Sequence, residues 1–171
     1  MSQRLPISIG RRPNRSRGFT LVEIMVVIVI IGLLAAMSLP TYRRVTLRSK
    51  TVAVVNDLRT YSTAFITYNL QNGRWPLDGT SQVIPTELTG SIPLGFTQKS
   101  PIGGVYKWNY DVSADGITAK AAILIETISG NPLSDDQDLR LMIDRELDDG
   151  VLDQGNVQVG STNSLVYIIE K

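Results

Sequence analysis

A single carboxylate, Glu23, stands in a run that is otherwise apolar from Phe19 to Leu39, where the only other polar side chains are Thr20 and Ser38. As a helix rising about 1.5 Å per residue the run is roughly 31 Å long. That matches a hydrocarbon core of about 30 Å. A carboxylate at the centre of a bilayer helix costs something like 2.5–3.5 kcal/mol on insertion scales. Glu23 lies nearer one end, so its cost is smaller, but it still needs a partner. A segment apolar on every face belongs in lipid or among copies of itself, and not on the surface of a small soluble domain.

The second group able to do chemistry is acidic: Asp144, Glu146, Asp148, Asp149 and Asp153, set around Gly150 and Gly155. Oxygen ligands at this density suit Ca²⁺, and Asp148, Asp149 and Asp153 are the candidate calcium ligands. The set does not fit the EF-hand template. Counted from Asp144, glycine falls at position seven instead of six, and position twelve is Gly155. The plainer alternative is a solvated helix end followed by a D-D-G turn. No other metal or cofactor is expected.

Histidine and cysteine are both absent, which removes the commonest general base, the commonest transition-metal ligand and any disulfide. The sequence has no Walker-type glycine loop and no G-x-S-x-G elbow, so an enzyme is not expected. The net charge of +1 hides an asymmetry. Residues 1–50 hold nine basic side chains and one acid, whereas 51–171 hold eight basic and fifteen acidic ones. A domain of net −7 argues against nonspecific nucleic-acid binding through its surface.

A basic stretch with Arg4, Arg11, Arg12, Arg15 and Arg17 and no acid precedes the apolar run, and Gly18 sits at the junction. G-F-T-L-V-E followed by a long apolar helix resembles the prepilin signal of type IV pilins and type II secretion pseudopilins. The resemblance is strong over about the first 55 residues and is one of general layout beyond them. It implies a membrane peptidase that cuts between Gly18 and Phe19 and then N-methylates Phe19. It also implies that Glu23 pairs with the terminal amine of a neighbouring subunit, an amine whose reference pKa is about 7.7–8.0. Pro40 falls where pilins often carry a helix-kinking proline. Major pseudopilins bear a calcium-binding loop near the C-terminus. Many type IV pilins close a C-terminal disulfide that this chain cannot form, which tilts the reading toward a pseudopilin or a disulfide-free pilin. Two rivals to the prepilin reading are a signal anchor with a snorkelling Glu23 and a cleaved secretory signal ending near Ser38. The apolar run is too long for the 7–15-residue core of the latter.

These residues need elements to hold them. Pro40 should kink the helix and not end it. Beyond it, Val45, Val52, Val55, Leu58, Tyr61, Phe65 and Ile66 recur at helical period, and Asn72-Gly73 supplies a stop. The predicted helix runs from about Thr20 to Gln71, roughly 75–80 Å. Trp75-Pro76 follows, with Trp75 expected as a buried anchor, and then an irregular stretch over 77–104. Val105–Val112 and Ile117–Thr127 around Ala114-Asp115-Gly116 predict a hairpin, with Val105 and Ile123 on the helix side and Trp108 and Tyr110 stiffening the sheet. Ser134 to Gln137 resembles a capping box for a helix from about Asp135 to Leu147, with a strand over Leu139–Asp144 as the alternative. Leu165–Glu170 predicts a final strand.

The expected architecture is α+β and pilin-like: a long N-terminal helix, membrane-spanning in its first half, packed on a small antiparallel sheet. Residues 1–18 read as a cytoplasmic, cleaved leader, 19–40 as the transmembrane and assembly helix, and 41–171 as the amphipathic helix half plus an extracytoplasmic domain. Arg43, Arg44, Arg48 and Lys50 flank the far side of the span and weaken the positive-inside signal. The N-terminus is kept inside because the leader carries the uninterrupted basic run. The expected role is a pseudopilin of a type II secretion system in the inner membrane, driving protein export. The alternatives are a type IV pilin for adhesion, motility or DNA uptake, and a membrane-anchored periplasmic binding module that does not polymerise. Expected partners are other pilin-like subunits, the prepilin peptidase, an inner-membrane assembly platform and membrane lipid, with no nucleic acid.

Overall fold

A computed structural model describes residues 18–114 and 116–171. The leader's basic residues and Asp115 lie outside the described residues. The chain divides into two compact units, one ending at Thr41 and the other Tyr42–Lys171. Helix α1, Leu21–Asn72, contributes to both and contains Pro40.

In the first unit every described residue is exposed. The run from Leu21 to Leu39 is apolar around its whole circumference, so no single-face packing could bury it. Two of its polar groups find partners locally. Thr20 Oγ1 accepts from the Glu23 N–H at 3.3 Å, as an N-cap oxygen does, and Ser38 Oγ donates to the Leu34 carbonyl at 2.9 Å.

In the second unit the C-terminal half of α1 buries Thr51, Val54, Val55, Leu58, Tyr61, Ser62 and Phe65. The steps of three and four keep them on one face. The expected stripe is corrected at three places: Val45, Val52 and Ile66 are exposed, at 61, 57 and 40%, while Val54 joins the core. At 100° per residue the face set by Leu58, Tyr61 and Phe65 excludes those three positions.

Four antiparallel strands form one sheet in the order β1-β2-β4-β3: β1 Val105–Ala114, β2 Ile117–Glu126, β3 Val157–Val159 and β4 Leu165–Glu170. Ala114 pairs with Ile117, and Gly116 at φ 78° supplies the left-handed turn residue. Trp108 pairs with Ile123 and Val105 with Glu126. Directly opposed residues share a face, so Val105 lies on the side away from Ile123, contrary to the expectation. Tyr106 and Trp108 take the helix side instead, in one core with Leu58, Tyr61 and Phe65.

Trp75 is buried, as a sequel to the helix stop should be, and its Nε1 donates to Glu170 Oε2 at 2.6 Å. Residues 79–82 then run along the free edge of β1. Gly79 N–H donates to the Trp108 carbonyl at 3.1 Å, and Gln82 N–H to that of Tyr106 at 2.9 Å. The edge is thereby covered, which removes a template for unwanted strand pairing.

Helix α2 spans Gln137–Leu147, and the alternative strand is not formed. Its cap is Asp136, not Ser134: Asp136 accepts from the N–H groups of Asp138 and Leu139, while Ser134 Oγ accepts from Asp136 N–H at 3.3 Å. A carboxylate is the better cap for a helix N-terminus because it also meets the positive end of the helix dipole.

Candidate functional site

Two places on the chain concentrate unsatisfied charge. The first is at the start of α1. Gly18 and Phe19 are exposed, and a side chain at Gly18 would meet nothing. The Glu23 carboxylate is exposed, and among the described residues it has neither a hydrogen-bond nor an ion-pair partner. A carboxylate flanked by Val22 and Ile24 on an apolar helix thus has its charge compensated by nothing that the described residues supply. Pro40 lies within the helix, near the end of the same unit.

The second is where α2 ends. Asp144 is 0% exposed, and neither of its carboxylate oxygens makes a hydrogen bond among the described residues. Asp148 is the C-cap of the helix; its N–H donates to the Asp144 carbonyl at 2.6 Å. Oxygens of Asp144, Asp148 and Asp149 lie within 4.8 Å of one another. Two oxygens bound to one ion at 2.3–2.6 Å can be no farther apart than about 5 Å, so the three can share a hard cation.

Sequence pattern explains two members of this cluster. Asp144 and Asp148 are four residues apart, neighbours on a helix surface, and Asp149 follows the cap directly. Asp153, expected as a ligand, is exposed and stands outside the group; a turn closed by Gln154 N–H to the Val151 carbonyl at 3.0 Å separates it. Asp144 was legible as one of five acids, but nothing in the sequence marked it as the buried one. Glu146 is exposed, and it contributes its main-chain carbonyl to Arg59 at 2.7 Å.

The electrostatics follow from burial. Desolvation first, then the charges of Asp149 and Asp148, push the Asp144 carboxyl above its ordinary value, against smaller lowering by the Gly150 backbone and Arg145. Asp148 is already engaged: it accepts from the backbone N–H of Asn156 and, at 3.5 Å, from its side-chain amide. Asp149 Oδ1 accepts from Val151 N–H at 2.9 Å. Two preset carboxylates and one buried unpartnered carboxylate make a cage that a divalent cation would complete.

Two buried tyrosines are structural. Tyr106 Oη donates to Asp57 Oδ2 at 2.8 Å, and burial pushes the Tyr61 phenol up to about 12. Tyrosines held neutral in an aromatic core offer no base near pH 7.

Comparison with known proteins bears on the N-terminal motif and on the fold. Residues 13–39 match the family model described as a prokaryotic N-terminal methylation motif. A fimbrial protein of Neisseria meningitidis serogroup B is 33% identical over 106 residues, covering 62% of this chain and 55% of that protein. The type II secretion system core protein G of Pectobacterium carotovorum is 41% identical over 69 residues, covering 40% of this chain and 44% of that one. The chain spans about half the length of the curated relatives it matches. Among solved structures, the major type IV pilin PilA1 from Clostridium difficile shares the fold with a TM-score of 0.53 at 14% identity, over 73% of this chain and 97% of that one. With its methylation motif, its pilin relatives and its long helix on an antiparallel sheet, the chain is similar to type IV pilins and to a type II secretion core protein in sequence, and to a type IV pilin in fold.

Proposed function

We propose that the chain is a structural subunit of a pilin-like filament, cut between Gly18 and Phe19 and held in the inner membrane by residues 19–40 until it assembles. Residues 41–171 then lie outside that membrane. The observation that carries this reading is the unpartnered Glu23 in a run, Leu21 to Leu39, whose apolar side chains are all exposed. Lipid alone would accommodate the apolar surface but offers Glu23 no cation. A neighbouring copy offers both an apolar surround and, after cleavage, the Phe19 amine. An unpaired carboxylate in that setting makes the isolated subunit costly and the filament favourable.

The partners of this reading are other pilin-like subunits, a prepilin peptidase and an inner-membrane assembly platform, and the role is mechanical, not catalytic. The longer match to a fimbrial protein supports a type IV pilus subunit, with adhesion, motility or DNA uptake as its output. A pseudopilin driving protein export is the second reading, supported by the match to core protein G and by the lack of cysteine. We further infer that Asp144, Asp148 and Asp149 hold calcium, whose preference for several carboxylate oxygens in a flexible cage fits the group.

Electron microscopy of material sheared from cells that make the chain should show filaments containing it. A chain that stays monomeric in the membrane would favour the non-polymerising binding module and overturn the proposal. Deleting the chain separates the two filament classes: lost surface pili support the first reading, and retained folded exoproteins inside the cell support the second.

A further inference from the structure

Four basic residues follow the apolar run closely: Arg43, Arg44, Arg48 and Lys50, all exposed. Arg43 is engaged, its guanidinium 3.2 Å from Asp136 and 3.5 Å from Asp138. Arg44, Arg48 and Lys50 make no ion pair or hydrogen bond among the described residues. Arg44 and Arg48 are four apart on one helix face, where like charges repel. They persist there although the same domain carries an excess of acid that could have neutralised them.

We propose that Arg44 and Arg48, with Tyr42 beside them, form a binding site for the phosphate headgroups of anionic phospholipid at the outer face of the membrane. The inference rests on residues 19–39 spanning the bilayer. Arg44 and Arg48 follow Leu39 by five and nine residues in the sequence. The headgroup layer on each side of the hydrocarbon is about 5–7.5 Å thick. Arg44 is thus near enough in sequence for its side chain to reach that layer. Both arginines carry stems long enough to snorkel back to the phosphates. Guanidinium matches phosphate with two parallel hydrogen bonds, which an ammonium cannot. Tyr42 is 73% exposed and stands where aromatic belts mark the interface.

The site would hold the subunit upright in the membrane and would have to release its lipid on assembly. The test uses the full chain in nanodiscs of equal parts phosphatidylcholine and phosphatidylglycerol, with retained lipids counted by mass spectrometry. Juxtamembrane basic residues contribute about 1 kcal/mol each, which corresponds to roughly fivefold enrichment per arginine. Wild type and Arg43→Gln should retain phosphatidylglycerol preferentially, with the preference fading in salt. Arg44→Gln/Arg48→Gln should lower it, the leader's five arginines keeping the remainder. Both positions are exposed and unpaired, so the variant should fold, and vesicle flotation checks its insertion separately. Failure of flotation in wild type would count against the membrane-spanning reading itself. No preference in inserted wild type, or an unchanged preference in the double variant, overturns the lipid site. An unchanged preference with reduced filament yield would assign the two arginines to an acidic neighbour subunit instead.

Discussion

Phe65 and Trp108 stack face to face, ring centroids 3.8 Å apart and planes within 9°. One residue comes from the long helix and the other from the first strand, and both are fully buried. Phe96 meets Phe65 edge-on at 6.0 Å, and Tyr61 in turn stands edge-on to Phe96 at 5.2 Å and to Tyr106 at 5.1 Å. This pair joins α1 to the sheet in the second unit. Phe65→Ala should cost about 3–5 kcal/mol, whereas Phe65→Leu should cost much less. Urea unfolding of the full chain in detergent, followed by tryptophan fluorescence, measures both. Equal losses would mean that the stack contributes by shape more than by volume.

Calcium should raise the melting temperature of the second unit within the full chain. Free ion at 100 times its dissociation constant would add about 2.7 kcal/mol. Asp144→Asn should remove that gain, and Asp153→Asn should leave it intact, since Asp153 stands outside the cage. Identical melting with calcium and with chelator would eliminate the site.

The same carboxylate predicts a pH effect in chelator. Burial raises the Asp144 pKa in the folded state above its unfolded value. Between the two values the folded state binds the extra proton, so stability falls as pH rises through that window. Above the raised value the penalty of a buried, ion-free charge is fully present. Asp144→Asn should therefore be more stable than wild type at neutral pH without calcium and should flatten this segment of the stability profile. Urea midpoints across pH, read in chelator, give the comparison.

Mature protein should begin at Phe19, N-methylated. N-terminal mass spectrometry of the membrane-derived chain checks it; an intact leader or a start near Leu39 would sink the prepilin reading. A small residue at the junction suits a peptidase cleft, so Gly18→Ala should be cut and bulkier replacements should not.

Glu23→Val should leave the chain processed and inserted while lowering its filament yield. The substitution makes the run more apolar, so anchoring cannot be the step that fails. Membrane fractionation reads insertion and shearing reads assembly. Filaments at wild-type yield would show that Glu23 is merely tolerated.

Local pattern was enough for the elements whose signal is periodic. Phe19 to Leu39 is apolar at every angle, which names a membrane or filament helix before any fold is known. Leu58, Tyr61 and Phe65 repeat at helical spacing. Val105 to Glu126 alternates around a glycine turn, and Leu165 to Glu170 is dense in strand formers. The Gly18-Phe19 junction and Glu23 stand out for the same reason, since the role proposed for them depends on neighbours in sequence. What tertiary structure decided depends on neighbours in space. The short β3, with only three residues, has too little pattern to be seen until β4 pairs with it. Val45, Val52 and Ile66 look like core residues by type, but burial requires something opposite them, and the sheet covers only the face set by Leu58 and Phe65. Among five acids in one stretch, composition ranks none above another. Burial singles out Asp144, and the fold of the segment after α2 sets Asp148 and Asp149 beside it while leaving Asp153 in solvent.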